Sequence, residues 1–361
     1  MKTTMKHTIL LASLSTLFGA NAYAAADGFS FYGLIDGGMV STKIKGGVSS
    51  GKTEFVTGGY APNFVGLTAQ KSLASGLKGG IQLEQGFLLN NNPCATACTN
   101  PNSRFWFGDD SIANRRANAY VEGSFGTVRF GTQGNIAFNS ILMTDPRFGS
   151  NYGSALASVD IDGGLGTIDN SALSYTSPTY SGFTGAISKV ATQRTNLAGA
   201  ITSGYRLAGT YKMNDFGATI ATYTNNSSTA PEANGHILGG TYKFGAFTLK
   251  GLYVKQKTAA LNALKTTGIG GAYDVSADLT LDAGYYTSKD SAPNYKTKTI
   301  GIGAQYKIIK DLSLYAQYGK VTNDGTFLSA FNFAGPTIQA FQIGAGQSAT
   351  TLNVGMLFGF F

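Results

Sequence analysis

Apolar and polar side chains alternate along nearly the whole chain of 361 residues. In the stretch 247–253, for example, Phe247, Leu249 and Tyr253 fall on one side, and Lys250 falls on the other. Alternation with a period of two over about ten residues is typical of a β-strand with one apolar face, and about sixteen such segments follow one another. The pattern predicts an all-β fold, a transmembrane antiparallel β-barrel, because a closed sheet leaves no unpaired backbone edge in lipid.

The connections between these segments are alternately short and long. Short turns are expected at residues 74–76, 124–126, 178–182, 214–216, 244–246, 275–278 and 309–311. Long connections are expected at residues 40–62, 87–113, 134–167, 192–198, 225–235, 257–265, 289–296 and 322–348. In a membrane barrel the short turns face the periplasm and the longer loops face the outside, so this alternation favours one continuous barrel over two domains.

The first 24 residues have the pattern of a secretory signal peptide. Lys2 and Lys6 form a basic head, residues 9–18 are mostly apolar, and an Ala-x-Ala site ends at Ala24. The apolar run is too short for a membrane-spanning helix, which needs about 20 residues. We therefore expect a signal peptide at 1–24 and a single barrel domain at 25–361. A soluble secreted β-protein is the alternative.

The charge is modestly basic, with 27 Lys and Arg against 19 Asp and Glu. Cleavage after Ala24 would leave 25 basic residues and a formal charge of +6. On a soluble protein such a surplus could indicate affinity for nucleic acid. On a barrel it favours anions in the lumen, so no nucleic-acid partner is expected.

Two cysteines, Cys94 and Cys98, lie close together in a polar connection. In an oxidising compartment we expect a disulfide between them. A metal site is the weaker alternative, because two thiolates do not complete a zinc site and no histidine lies nearby. No metal or cofactor is therefore expected.

An enzyme is not expected from this sequence. A barrel hydrolase needs a nucleophile and a base, and His236 is the only histidine after residue 24. The one Gly-x-Ser-x-Gly match, residues 47–51, falls within the expected long connection 40–62 and is therefore not the strand-to-helix elbow of a hydrolase. A structural or adhesin barrel without conductance is a third class, which a recording of channel current would distinguish.

Several stretches, taken in order, resemble the strands of the trimeric general porins of Gram-negative bacteria. They are Phe-Tyr-Gly-Leu-Ile-Asp-Gly-Gly at 31–38 and the stretches 76–84, 119–131, 169–178 and 312–319. The resemblance implies a homotrimer of sixteen-stranded barrels in the outer membrane, surrounded by lipid, which passes small hydrophilic solutes and ions by passive diffusion. It also implies that the third loop, residues 134–167, folds into the lumen and narrows it.

The resemblance further implies that acids of the third loop face arginines on the opposing wall. The candidate pore-lining residues are Arg104, Arg115, Arg116, Arg129, Arg147, Arg206, Asp145, Asp160 and Asp162. Phe64, Ala117, Thr132 and Thr167 occupy places where the family has arginine, and Arg115 has the parity to substitute for the arginine missing at Ala117. We therefore expect a weakly anion-selective channel, with a substrate-preferring porin as the alternative.

Overall fold

The computed structural model of this chain describes residues 27–46, 51–89, 112–191, 202–227, 231–327, 329–330 and 342–360. The expected signal peptide, Arg104, and the expected Cys94–Cys98 disulfide lie outside the described residues and remain predictions.

One antiparallel sheet of 17 strands closes on itself and forms the barrel. Neighbouring strands follow the order of the chain, and β19 pairs with β1 from Gly33–Phe360 to Lys45–Ser348. Strands β2 and β3 pair with different parts of β1, so together they occupy one strand position in the barrel. The barrel therefore has sixteen strand positions, as predicted. The strands are β1 (Gly28–Lys45), β2 (Lys52–Thr57), β3 (Phe64–Ser72), β4 (Lys78–Gly86), β5 (Arg116–Gly123), β6 (Gly126–Gly134), β7 (Ile168–Thr176), β8 (Phe183–Val190), β9 (Thr202–Met213), β10 (Phe216–Ser227), β11 (Ala233–Phe244), β12 (Phe247–Lys257), β13 (Leu264–Asp274), β14 (Leu279–Asp290), β15 (Tyr295–Ile309), β16 (Leu312–Asn323), the small pair β17 (Ser329–Ala330) and β18 (Gln342–Ile343), and β19 (Ser348–Phe360).

All of the expected short turns join neighbouring strands of this sheet. The expected connection 40–62 is different, because β1 continues to Lys45 and β2 lies within it. The strand residues in this stretch, 41–45 and 52–57, are largely Lys, Thr and Ser. The alternation of apolar and polar side chains is therefore weak where the sheet extends beyond the apolar band. In the part of the chain that the structure describes, no helix has the length and apolar character needed to cross a membrane.

The outward face of the barrel is apolar, and inward side chains alternate with it. Ile220 and Ile269 are 63% and 67% exposed, whereas the inward Lys250 is 9% exposed. Near the short turns, the rings of Phe244, Phe247 and Tyr273 stack across β11, β12 and β13, with centroids 5.3 and 4.3 Å apart. Such rings form the aromatic girdle of a membrane barrel.

The third loop contains one α-helix, α1 (Ile136–Thr144), and two short helical turns at Ala155–Ala157 and Ile161–Leu165. The Asn135 side chain caps α1 by accepting hydrogen bonds from the N–H groups of Ala137 and Phe138. The apolar side chains of this loop pack against inward residues of β9 to β12 and β14. This cluster includes Phe138, Ile141, Leu142, Leu156, Leu165, Ala208, Tyr223, Ile237, Leu252 and Tyr286. The loop therefore lies against the inner wall of the barrel.

Candidate pore constriction

A cavity of about 710 Å³ lies between α1 and the inner faces of β4 to β9. The helix borders it with Asn139, Ser140 and Met143, while the wall contributes Arg116 and Arg129. Helix α1 has no acidic residue. Basic side chains therefore face a neutral helix surface across this space.

Two arginines share one carboxylate at the edge of the cavity. Glu84 of β4 is 2% exposed, and its Oε2 lies 3.0 Å from Nε of Arg115 and 3.1 Å from Nε of Arg116. The Arg115 guanidinium also lies over the ring of Phe64, 4.5 Å from its centroid. A guanidinium thus reaches the wall position where the family resemblance implied an arginine and the sequence has Phe64.

Arg129 of β6 is the next cation along this wall. It donates hydrogen bonds to Asn118 and, at 3.4 Å, to Gln82, and it lies 4.7 Å from the ring centroid of Tyr120. Among the described residues Arg129 forms no salt bridge. Arg129 therefore adds a cation without a salt-bridge partner in this part of the chain beside Arg115 and Arg116, which share Glu84.

Lys78 and Glu122 also border the cavity and pair with each other, with Nζ and Oε1 3.7 Å apart. Both side chains are partly exposed, so this pair contributes little to stability. It leaves the net charge of the cavity lining unchanged.

Two expected pore-lining residues instead fasten the third loop to the wall. Arg147 is fully buried, and its Nε lies 2.5 Å from Oδ1 of Asp282 on β14. It also donates to the carbonyl of Tyr152 and, at 3.5 Å, to Gln317 of β16. A side chain enclosed between loop and wall cannot line the open path, so the expectation for Arg147 was wrong.

Asp145 is buried beside it and organises the turn of the loop. Its carboxylate accepts hydrogen bonds from the hydroxyl of Tyr286 (2.5 Å) and the N–H of Gly149 (2.6 Å). Burial raises the pKa of the Asp145 carboxyl, although these donors act in the opposite direction. Asp145 therefore does not face the cavity arginines, contrary to the sequence expectation.

Arg206 and Asp160 lie away from the cavity as well. Arg206 of β9 faces inward, but its Nη2 lies 2.7 Å from Oδ1 of Asp169 on β7, and both side chains are buried. Asp160 is partly exposed, and its backbone N–H and carbonyl both bond the side chain of Gln256. The side chain of Asp162 lies outside the described residues.

A contact between glycines brings the loop onto the backbone of the wall. Gly153 has a φ of +71°, and a Cβ built on it would lie 2.8 Å from Cα of Gly301 and 3.0 Å from Cα of Gly319. No real side chain fits that gap. Close backbone approach therefore explains why these three positions are glycine.

Replacing Gly153 with alanine should displace the third loop from the wall. The loss of stability should exceed the strain that a positive φ alone would cause. The matched control is Gly245→Ala, because Gly245 has a φ of +59° but no atom within 4 Å of the place that an added Cβ would occupy. Overpacking costs about 1–3 kcal/mol, so Gly153→Ala should lower unfolding stability by that much beyond the control and raise protease cleavage within residues 134–167. Equal effects of the two substitutions would contradict the contact.

A bend between β2 and β3 supports the loop from the other side. Asp36 of β1 accepts hydrogen bonds from the N–H groups of Tyr60 (2.6 Å) and Ala61 (2.7 Å) and from the hydroxyl of Tyr315 (2.7 Å). The bend turns its carbonyls inward, and Gly58 accepts from the side chain of Asn151 at 3.0 Å. The loop is thus held on both sides of the lumen.

Sequence reasoning missed Glu84 and Asp282 as site residues. Both are acidic residues whose side chains point into the lumen, whereas an adjacent residue such as Leu281 points outward. A carboxylate between outward apolar residues on a strand is the signal that could have identified them, because a buried charge needs a partner.

A family model described as Gram-negative porin matches residues 10–326. The chain belongs to the Gram-negative porin family. The porin is an outer-membrane protein, as its sequence predicted. No curated protein matches the sequence.

Solved structures share the fold of this porin. The anion-selective porin from Comamonas acidovorans has a TM-score of 0.74 at 20% identity, with 92% of this chain and 99% of that chain covered. OmpF of Salmonella typhi, in complex with daunomycin, has a TM-score of 0.65 at 15% identity, covering 92% and 97%. The trimer form of OmpT from Vibrio cholerae has a TM-score of 0.62 at 13% identity, covering 93% and 100%.

Proposed function

We propose that this porin is a passive, weakly anion-selective diffusion channel for small hydrophilic solutes and ions. The observation that carries the selectivity is that Arg116 and Arg129 line the cavity beside a helix with no acidic residue, and that Arg129 forms no salt bridge among the described residues. An anion about 5 Å from the Arg129 guanidinium gains about 1–3 kcal/mol, depending on the effective dielectric. The preference is weak because salt screens charges that line water.

In this proposal the narrowest part of the channel lies between α1 and the wall at Arg116 and Arg129. The third loop sets the size limit because it covers the inner wall from β9 to β14 and leaves the cavity beside β4 to β9 open. Solutes pass beside the face of α1 that carries Asn139 and Ser140. Both side chains can exchange hydrogen bonds with a polar solute.

The working unit in this proposal is a homotrimer of chains that begin at residue 25. The family resemblance and the trimer form of the OmpT relative support the trimer. Catalysis forms no part of it: His236 is exposed on the outer face of β11, away from the cavity. Among the described residues, no group of three potential metal ligands is present.

Planar-bilayer recording tests this proposal. Purified protein should give stable steps with a linear current–voltage relation, in groups of three, because three lumens open together without gating. Heat-unfolded protein from the same preparation is the control and should give no steps. Correctly folded barrels that insert but carry no current would overturn the channel proposal and favour a structural or adhesin barrel.

A further inference from the structure

A row of one histidine and four lysines crosses five neighbouring strands on the outer face of the barrel. The residues stand directly opposite one another in the strand register: His236, Lys255, Lys265, Lys289 and Lys296 on β11 to β15. We name the four lysines the lysine row. Nothing in the porin function described above uses these residues, because they face away from the lumen.

The alternation of each strand fixes this outward orientation. All four lysines are exposed, and the residues next to them, such as Val254, Thr266 and Ser288, are buried toward the lumen. The row lies at the ends of the strands that lead into the longer connections, so it is on the external side of the membrane.

The row also lies at a defined height above the aromatic girdle. Lys255 follows Phe247 by eight residues on β12, which is about 27 Å along the strand. A strand tilt of about 40° converts this length to about 20 Å along the membrane normal, close to the height of an apolar band of about 25 Å. Exposed apolar side chains such as Tyr253, Ile269 and Tyr285 fill the space below the row. The lysine row therefore meets lipid headgroups.

The arrangement is unfavourable without an external anion. Like charges directly opposite each other on neighbouring strands destabilise a sheet, and the row contains three such lysine pairs in succession. Among the described residues, no member of the lysine row forms a salt bridge. By contrast Lys298, on the same face, pairs with Asp324 at 2.8 Å.

We propose that the lysine row binds the phosphate groups of a phosphorylated glycolipid in the external leaflet. Strands lie about 4.8 Å apart, so the four lysines span at least about 14 Å, wide enough to hold two phosphates on one headgroup. The apolar surface below the row accommodates the acyl chains, and the phosphates remove the repulsion between the lysines. Lysine is suited to this role because its ammonium binds phosphate as a point charge.

The test compares two triple variants of the full-length porin in a neutral detergent. One is Lys255→Gln/Lys265→Gln/Lys289→Gln, and the matched control is Lys71→Gln/Lys212→Gln/Lys310→Gln, which removes the same charge from exposed lysines at the short-turn end. The probes are lipid A with both phosphates and lipid A from which the phosphates have been removed. Binding is counted by native mass spectrometry.

Wild type and the control should bind phosphorylated lipid A at least about tenfold more tightly than the dephosphorylated form, and the row variant should lose most of that preference. Channel conductance should stay unchanged in the row variant, which separates this proposal from the proposed function. Equal binding of both lipids by wild type, or a preference retained by the row variant, would overturn it. So would an equal loss of preference in the control.

Thermal unfolding gives a second test, because phosphorylated lipid A should reverse the order of the melting temperatures of wild type and the row variant. Without lipid A, the row variant should melt at a higher temperature than wild type because the repulsion is gone. With phosphorylated lipid A, wild type should melt at the higher temperature. A row variant that changes oligomeric state while its lipid binding stays normal would show instead that the row contacts another copy of the chain.

Discussion

Replacing Arg147 with alanine should release the third loop and widen the channel. Arg147 is fully buried and pairs with Asp282, so its removal leaves a buried, unpaired carboxylate and costs about 3–5 kcal/mol. The barrel should stay closed, because the strand pairing of β14 and β15 does not involve this side chain. Single-channel conductance should therefore rise, and liposomes should admit larger sugars.

The matched control for this prediction is the double variant Arg147→Met/Asp282→Leu. Replacing a buried ion pair with apolar residues of similar volume is often neutral, so its conductance and sugar exclusion should stay close to wild type. If Arg147→Ala folds and keeps the wild-type conductance and exclusion limit, the ion pair does not hold the loop in place.

Replacing both Arg116 and Arg129 with alanine should abolish the preference for anions. This double variant removes both arginines that line the cavity and leaves Arg115 paired with Glu84. At about 1–3 kcal/mol per nearby guanidinium, the ratio of chloride to potassium permeability should fall several-fold, most strongly at low ionic strength. The reversal potential in a KCl gradient measures this change directly.

Lys265→Ala/Lys289→Ala is the charge-matched control, since both residues lie on the outer face. It removes two positive charges from the same protein and should leave the reversal potential unchanged. A wild-type pore that prefers potassium would refute the proposed selectivity. An unchanged reversal potential in Arg116→Ala/Arg129→Ala would show that ions pass elsewhere.

The barrel was predictable because a repeated period of two leaves few alternatives for an exported chain. Arg129 and Arg206, both candidates for lining the pore, do face inward. Strand parity could not show that the third loop leaves Arg129 beside an open cavity, while Arg206 is enclosed with Asp169. The position of a residue along a strand determines the face on which its side chain lies. Whether that side chain is buried depends on how the distant third loop packs.

The arrangement of the third loop could not be predicted from the sequence either, because it also depends on contacts between distant segments. Residues 134–167 have no single period, and Arg147 has no local partner that its neighbours could indicate. Its ion pair joins positions 135 residues apart, and the hydrogen bond to Gln317 spans 170 residues. The resemblance implied wall arginines facing loop acids, but here the acid Asp145 bonds Tyr286 within the packed contact.

The contact of Gly153 with Gly301 and Gly319 also makes the position of the third loop depend on the far end of the chain. The loop follows β6, but its seat is made by β15 and β16, which enter the sheet from the far end of the chain. Contacts between distant segments form only after the intervening chain has been brought together. The contact of Gly153 is therefore complete only after β15 and β16 have joined the sheet, so the final narrowing of the lumen depends on the same hairpins that close the barrel.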